Sequence, residues 1–176
     1  MKQYYLLMCD ASRDDLESVD DYDMGDFDLT TFWSGDYFSG EIPDSIAIDL
    51  DKGNPSDLLG NPMSWLIMSI RLRNKIQALC GEYVQFIPLT MLRDNKPVNR
   101  YVLANPLGTV DAIVARKAKE EIPIQRLVLD ASKIPSDRHL FRLQCQETTF
   151  IISQDMFDLL YHKGYHGLAA RQVTMK

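Results

Sequence analysis

Asn61-Pro62-Met63-Ser64-Trp65-Leu66-Ile67-Met68-Ser69-Ile70-Arg71-Leu72-Arg73-Asn74-Lys75-Ile76-Gln77-Ala78-Leu79-Cys80-Gly81 is the stretch on which the fold turns. It reads as one long amphipathic helix over about 62–80. Asn61 suits the N-cap, and Pro62 suits the first helical position, where its missing N–H is not needed. Trp65, Met68, Leu72, Ile76 and Leu79 fall on one stripe, joined by Leu66 and Ile70. Gly81 can take the left-handed conformation that ends a helix. So broad an apolar stripe is expected to pack on a sheet.

Most other periodic segments read as strands. They are Tyr4–Met8, Ser45–Leu50, Tyr83–Pro88, Leu89–Arg93, Arg100–Ala104, Ile124–Asp130, Leu140–Cys145, Thr148–Ser153 and Leu168–Thr174. Lys52–Pro55 and Asp94–Pro97 read as turns. Gly108–Glu121 fits helix and strand equally well. Ser153 caps a short C-terminal helix over about 153–163, with Phe157, Leu160 and Tyr161 on its core face and Gly164 at its end. Few helices among many antiparallel-looking strands give an α+β fold, mostly antiparallel sheet.

The chain has 176 residues, of which 45% are apolar and 25% charged. This is the composition of a single globular domain spanning 1–176, not of a disordered or disulfide-stapled chain. The longest apolar run, Tyr4–Cys9, is far shorter than the ~20 residues that cross a bilayer. It is also too short for a signal peptide and is closed at once by Asp10, so a first strand and a cytoplasmic location are expected. Cys9, Cys80 and Cys145 are widely spaced, which favours free, buried thiols over zinc or disulfides.

Net charge is −6, unevenly spread: residues 1–60 hold 15 acidic and 3 basic side chains, residues 61–176 hold 10 and 16. The first third is an acidic region that repels nucleic acid and anionic membranes and attracts a basic protein. Nine carboxylates fall between Asp10 and Asp28, opposed only by Arg13. With few apolar residues among them, they read as a surface loop. The candidate partner-binding residues are Asp14, Asp15, Glu17, Asp20, Asp21, Asp23, Asp26, Asp28, Trp33, Asp36, Tyr37 and Phe38. Aromatic anchors beside charge are the composition that protein interfaces favour. A merely solvated acidic loop is the competing reading, and plain core is the competing reading for the aromatics. A calcium loop does not fit, because no glutamate follows until Glu41.

No phosphate-binding glycine loop or nucleophile elbow is present. Cys80 lies far in sequence from His139, His162 and His166. Gly164 interrupts the spacing that would pair His162 with His166. No catalytic residue, cofactor or metal is expected.

From Arg100 onward the residues resemble a known family. Tyr101–Leu107 with Val110-Asp111-Ala112, then Arg126–Pro135 with Leu140-Phe141-Arg142, then Phe150–Ser153 and Gly164–Leu168 follow in its order and spacing. This β-rich region, about 97–174, is similar to family eleven of the immunity proteins of bacterial polymorphic toxin systems. The resemblance implies a cytoplasmic antidote that neutralises a secreted antibacterial toxin encoded beside it, often one delivered by a type VI or contact-dependent system, and no catalysis. It marks Leu127, Leu129, Ile134, Phe141 and Ile151 as core and Asp130 as a turn residue. Where the family usually has an aromatic residue, this chain has Ala169-Ala170. The acidic first third adds an expected mechanism, occlusion of a basic, nuclease-like active site. An adaptor for a secreted effector is the alternative, and the oligomeric state stays open.

Overall fold

A computed structural model of the chain describes residues 2–43, 46–114 and 123–176. In chain order the strands are β1 (Tyr4–Cys9), β2 (Val19–Asp23), β3 (Ala47–Leu50), β4 (Leu58–Leu59), β5 (Leu66–Ser69), β6 (Val84–Arg93) and β7 (Lys96–Pro106). They continue as β8 (Thr109–Val110), β9 (Val128–Leu129), β10 (Leu140–Leu143), β11 (Gln146–Ser153), β12 (Leu168–Gln172) and β13 (Thr174–Met175). Helix α1 (Ile70–Cys80) follows β5, and helix α2 (Gln154–Tyr161) follows β11. The strands form a five-stranded sheet, β12-β1-β11-β10-β8, a six-stranded sheet, β2-β3-β6-β7-β5-β4, and the pair β13-β9. Pairing is antiparallel except at β8–β10, β9–β13 and β3–β6. The fold is mixed α+β and mostly sheet. Residues 115–121 of the ambiguous segment lie outside the described residues.

The stretch 61–81 is not one helix. Leu66–Ser69 is a strand paired with both β4 and β7, and the helix begins only at Ile70. Asn61 caps no helix: its side chain accepts the Trp65 N–H (3.0 Å) and donates to Trp65 O (2.8 Å), closing the turn between β4 and β5. Ser69 is the N-cap, its hydroxyl accepting the Leu72 N–H at 3.1 Å. The apparent stripe mixes two faces. Leu66 and Met68 point to one side of the sheet, while Trp65 and Ile67 point to the other. Gly81 does end α1, at φ +55°.

The longest hairpin is β6–β7. Both turn residues, Asp94 (φ +50°) and Asn95 (φ +59°), are left-handed, which matches the twist of a two-residue hairpin. Pro88 does not divide β6 into two strands, because the register runs through it opposite Val102 and slips only between Leu89 and Met91. Likewise β7 continues through Asn105-Pro106.

Both sheets are covered on both faces. Between them lies a layer holding α1 and α2, in which Met68, Leu72, Ile76 and Val102 meet Leu140, Ile152, Met156 and Leu160. The far face of the six-stranded sheet packs Ile67, Leu89, Met91 and Leu103 under Met24, Phe32 and Trp65. The far face of the five-stranded sheet packs Tyr4, Leu6, Phe141 and Ile151 under Ala112, Leu127, Leu129 and Ile134. Two-sided burial explains the unbroken buried runs Leu66–Ser69, Tyr101–Pro106 and Leu140–Leu143. Each such large apolar side chain contributes roughly 1.5–3 kcal/mol of transfer free energy. Asp130 holds a turn, its carboxylate accepting the Ser132 N–H (3.0 Å) and hydroxyl (2.6 Å).

Arg142 fastens the sheets to each other. From β10 its guanidinium donates to Pro106 O (3.3 Å) and Asn105 Oδ1 (3.3 Å) on β7 and to Glu147 O (2.7 Å), and it lies over the Phe150 ring. Burial pulls its pKa down to about 10, so it stays charged at neutral pH.

Candidate partner interface

The acidic segment leaves β1 at Asp10, whose carboxylate accepts the Ser12 N–H (3.1 Å) and hydroxyl (2.6 Å). Arg13 then grips Asp15 with two bonds of 2.6 and 2.8 Å, and these hold the Asp15 carboxyl down to about 2. Asp14 and Asp15 are exposed.

Glu17 is turned inward, which removes it from the exposed candidate set. Its side chain is 0% exposed and accepts Arg100 Nη2 at 2.7 and 2.6 Å, with Arg93 paired to the same carboxylate. The backbone delivers it there. Leu16 bridges Asn54, Glu17 N–H donates to Asn54 O (2.8 Å), and Asn54 N–H donates to Asp15 O (2.8 Å). The contact is so close that a Cβ on Gly53 would stand 2.2 Å from Glu17 N.

The next part of the run is an edge strand and not a loop. In β2, Val19 is buried and Tyr22 half-buried, while Asp20, Asp21 and Asp23 face water. A bulge between Val19 and Asp21 sets this register against β3. Asp21 stands directly opposite Asp49. Like charges so placed repel across the pair. None of the three β2 carboxylates has an ion-pair partner among the described residues. Asp26 is exposed, and Asp28 caps a short 3-10 helix (Leu29–Phe32) by accepting the Thr30 N–H and hydroxyl, each at 2.8 Å. Those bonds, the N–H first, hold the Asp28 carboxyl below its ordinary value.

The aromatics divide. Phe38 packs edge-on against Phe27 and Phe32, and Phe32 against Trp65, as a lid on the six-stranded sheet. Gln85 holds that lid, donating to Phe38 O (2.6 Å) and accepting its N–H (3.0 Å). Trp33 is half-buried with its indole N–H on Met63 O (3.2 Å). Asp36 is exposed at its side chain and anchored through its carbonyl to Asn105 (2.8 Å). Tyr37 stands out at 70% exposed. The structure therefore brings Asp20, Asp21 and Asp23 onto one strand and places Trp33 and Phe38 against core.

A second charged feature went unread in the sequence. Helix α1 carries Arg71, Arg73 and Lys75 with no acidic residue. Asp57, buried behind its first turn, accepts Ser69 Oγ (2.6 Å), Arg71 Nε (3.2 Å), Arg71 Nη2 (2.5 Å) and the His166 N–H (2.9 Å). Burial alone would raise the Asp57 pKa, but these bonds outweigh it and hold the carboxyl below its usual range. The signal available in the sequence is Arg71-x-Arg73-x-Lys75, three cations in five residues.

Among the described residues no group of three or more His, Cys, Asp or Glu could hold a metal. Burial pushes the Cys9 thiol up to about 11 and the Cys80 thiol up to about 12, so both are protonated at neutral pH. Cys145, expected inside, is exposed in the β10–β11 turn at φ +63°. His162 follows the end of α2 and His166 lies beyond it, so they share no helical face. No helix among the described residues is long and apolar enough to cross a membrane.

A search of curated proteins finds no match. A family model described as Immunity protein family (Imm11) matches residues 38–174, more than three quarters of the chain. The matched range begins after the acidic run and takes in α1, the β6–β7 hairpin and the inter-sheet layer just described. This chain belongs to the Imm11 immunity protein family.

Proposed function

We propose that this protein binds and neutralises a cognate secreted antibacterial toxin in the cytoplasm, by seating its acidic N-terminal segment in a basic, nuclease-like active site. The observation that carries the mechanism is the row Asp20, Asp21 and Asp23, exposed on a hydrogen-bonded edge strand and without a cationic partner among the described residues. A nuclease cleft that gathers phosphates gathers such carboxylates for the same Coulombic reason, and the attraction speeds encounter. Repulsion between Asp21 and Asp49 falls when a cation comes between them. Tyr37 supplies exposed aromatic area beside the charge in sequence, and Asp14, Asp26 and Asp36 extend it. Family membership supports the antidote role itself.

The test is the toxin domain encoded beside this gene, purified and assayed with and without the protein. Inhibition that weakens in Asp20→Lys/Asp21→Lys/Asp23→Lys supports the reading. Inhibition unchanged by that variant removes the acidic-strand mechanism. A stable complex that keeps full toxic activity would instead make the protein an adaptor.

A further inference from the structure

We infer that the N-terminal half of α1 and the adjoining face of β6–β7 form a second docking surface, built for an acidic segment of a protein partner that also carries an apolar side chain. Three independent features meet there.

The first is charge. Arg71, Arg73 and Lys75 all lie on α1, at or near its positive end, where cations are disfavoured and carboxylates favoured. Asp57 is the carboxylate the structure places there, and it is already shared among Ser69, Arg71 and His166. Arg71 is paired with Asp57, whereas Arg73 and Lys75 have no ion-pair partner among the described residues, in a protein of net charge −6.

The second is preorganisation. Arg71 lies over the Tyr165 ring (4.6 Å), Arg73 over Phe86 (5.6 Å) and Arg100 over Tyr101 (5.3 Å). Arg71 and Arg100 each bind an inner carboxylate through their Nε and Nη2 atoms. That leaves the Nη1 side of each planar fork for another acceptor. Both side chains are about half exposed, 56% and 40%. The Arg73 Nε–H is shielded from solvent and has no acceptor among the described residues. Held guanidiniums lose little side-chain freedom on binding.

The third is shape. A cleft of about 300 Å³ runs along Phe86, Pro88 and Val102 beside Arg73, and one of about 410 Å³ lies between Arg71, Arg100 and His166. Both are lined by Ile70, which is 40% exposed at the first position of the helix. An aliphatic or aromatic side chain fits the first cleft while its neighbouring carboxylates meet Arg73, Arg71 and Arg100. This is a separate surface from the acidic strand and does not rest on the toxin reading.

The test titrates the isotope-labelled full chain with a short synthetic peptide alternating Asp and Glu with Leu and Phe, read by amide chemical shifts. Saturable shifts confined to residues 70–75, 86–90 and 99–102 are expected, with no response to the same peptide carrying Lys for Asp and Glu. Arg73→Glu and, separately, the milder Arg73→Gln should weaken binding, the first by about tenfold or more. Shifts centred on residues 10–28, an equal response to the lysine peptide, or no response at millimolar peptide would overturn the assignment. So would concentration-dependent dimerisation lost in Arg73→Glu, which would make the occupant a second copy of this chain. No toxin enters the titration, so its failure leaves the immunity reading standing, and failed neutralisation leaves this surface standing.

Discussion

On β2, Asp20, Asp21 and Asp23 hold their charge in water, Asp21 against the Tyr22 N–H and Asp23 against the Gly25 N–H. On α1 and β7, Arg71, Arg73 and Arg100 hold theirs against aromatic rings, and two of them against buried carboxylates. The first arrangement is diffuse. Its side chains keep their rotamers and act at a distance, which governs how fast a partner arrives. The second is fixed in place before any partner comes, which governs how long one stays. Each surface also rests on an inward-facing acid. Glu17 lies beneath the acidic segment and Asp57 beneath the basic helix.

Removing those anchors gives the largest expected effects. Glu17→Ala leaves the Arg93 and Arg100 guanidiniums half-buried and uncompensated, and should cost about 3 kcal/mol in urea unfolding. A loss below about 1 kcal/mol would mean the acidic segment is not anchored there. Gly53→Ala drives a methyl group into the Glu17 backbone and should cost about 2 kcal/mol by displacing the same anchor. Asp57→Asn should cost about 1–2 kcal/mol at neutral pH. Because the folded-state pKa of Asp57 lies below its ordinary 3.8, its contribution is complete above that value and fades as pH falls through the depressed one. The variant should therefore lose part of the wild-type drop in melting temperature on acidification. An unchanged acid limb would remove Asp57 as the anchor of the basic face.

The smallest change in stability belongs to the exposed strand. Asp20→Lys/Asp21→Lys/Asp23→Lys should alter stability by no more than about 0.5 kcal/mol, with relief of the Asp21–Asp49 repulsion offsetting part of that. The same variant should slow toxin association by about tenfold at low salt and flatten its salt dependence. A large loss of stability with unaltered association would collapse the distinction between the two surfaces.

The class of the fold was legible because strand segments and turn residues are local signals. Asp94-Asn95 and Gly81 work through their own backbone angles, and Ser153 through its own side chain. The stretch 61–81 was misread because Leu66-Ile67-Met68 is buried on both sides. Without polar alternation, a central strand running into a helix carries the same apolar spacing as a longer helix. Pro88 and Asn105-Pro106 read as breaks because the local sequence does not say which ladder positions need an N–H. The charge asymmetry was legible by counting. That Glu17 alone among its acidic neighbours turns inside was not, because its partners Arg93 and Arg100 lie more than 70 residues away.

The place of β1 has a consequence for how such a protein can change. This strand precedes the range matched by the family model, yet it runs between β11 and β12 as an inner member of the five-stranded sheet. The opening 37 residues are therefore no detachable cassette: exchanging them wholesale would split a sheet down its middle. If residues 10–37 decide which poison is recognised, that choice has to drift by single substitutions on a retained scaffold, one carboxylate at a time.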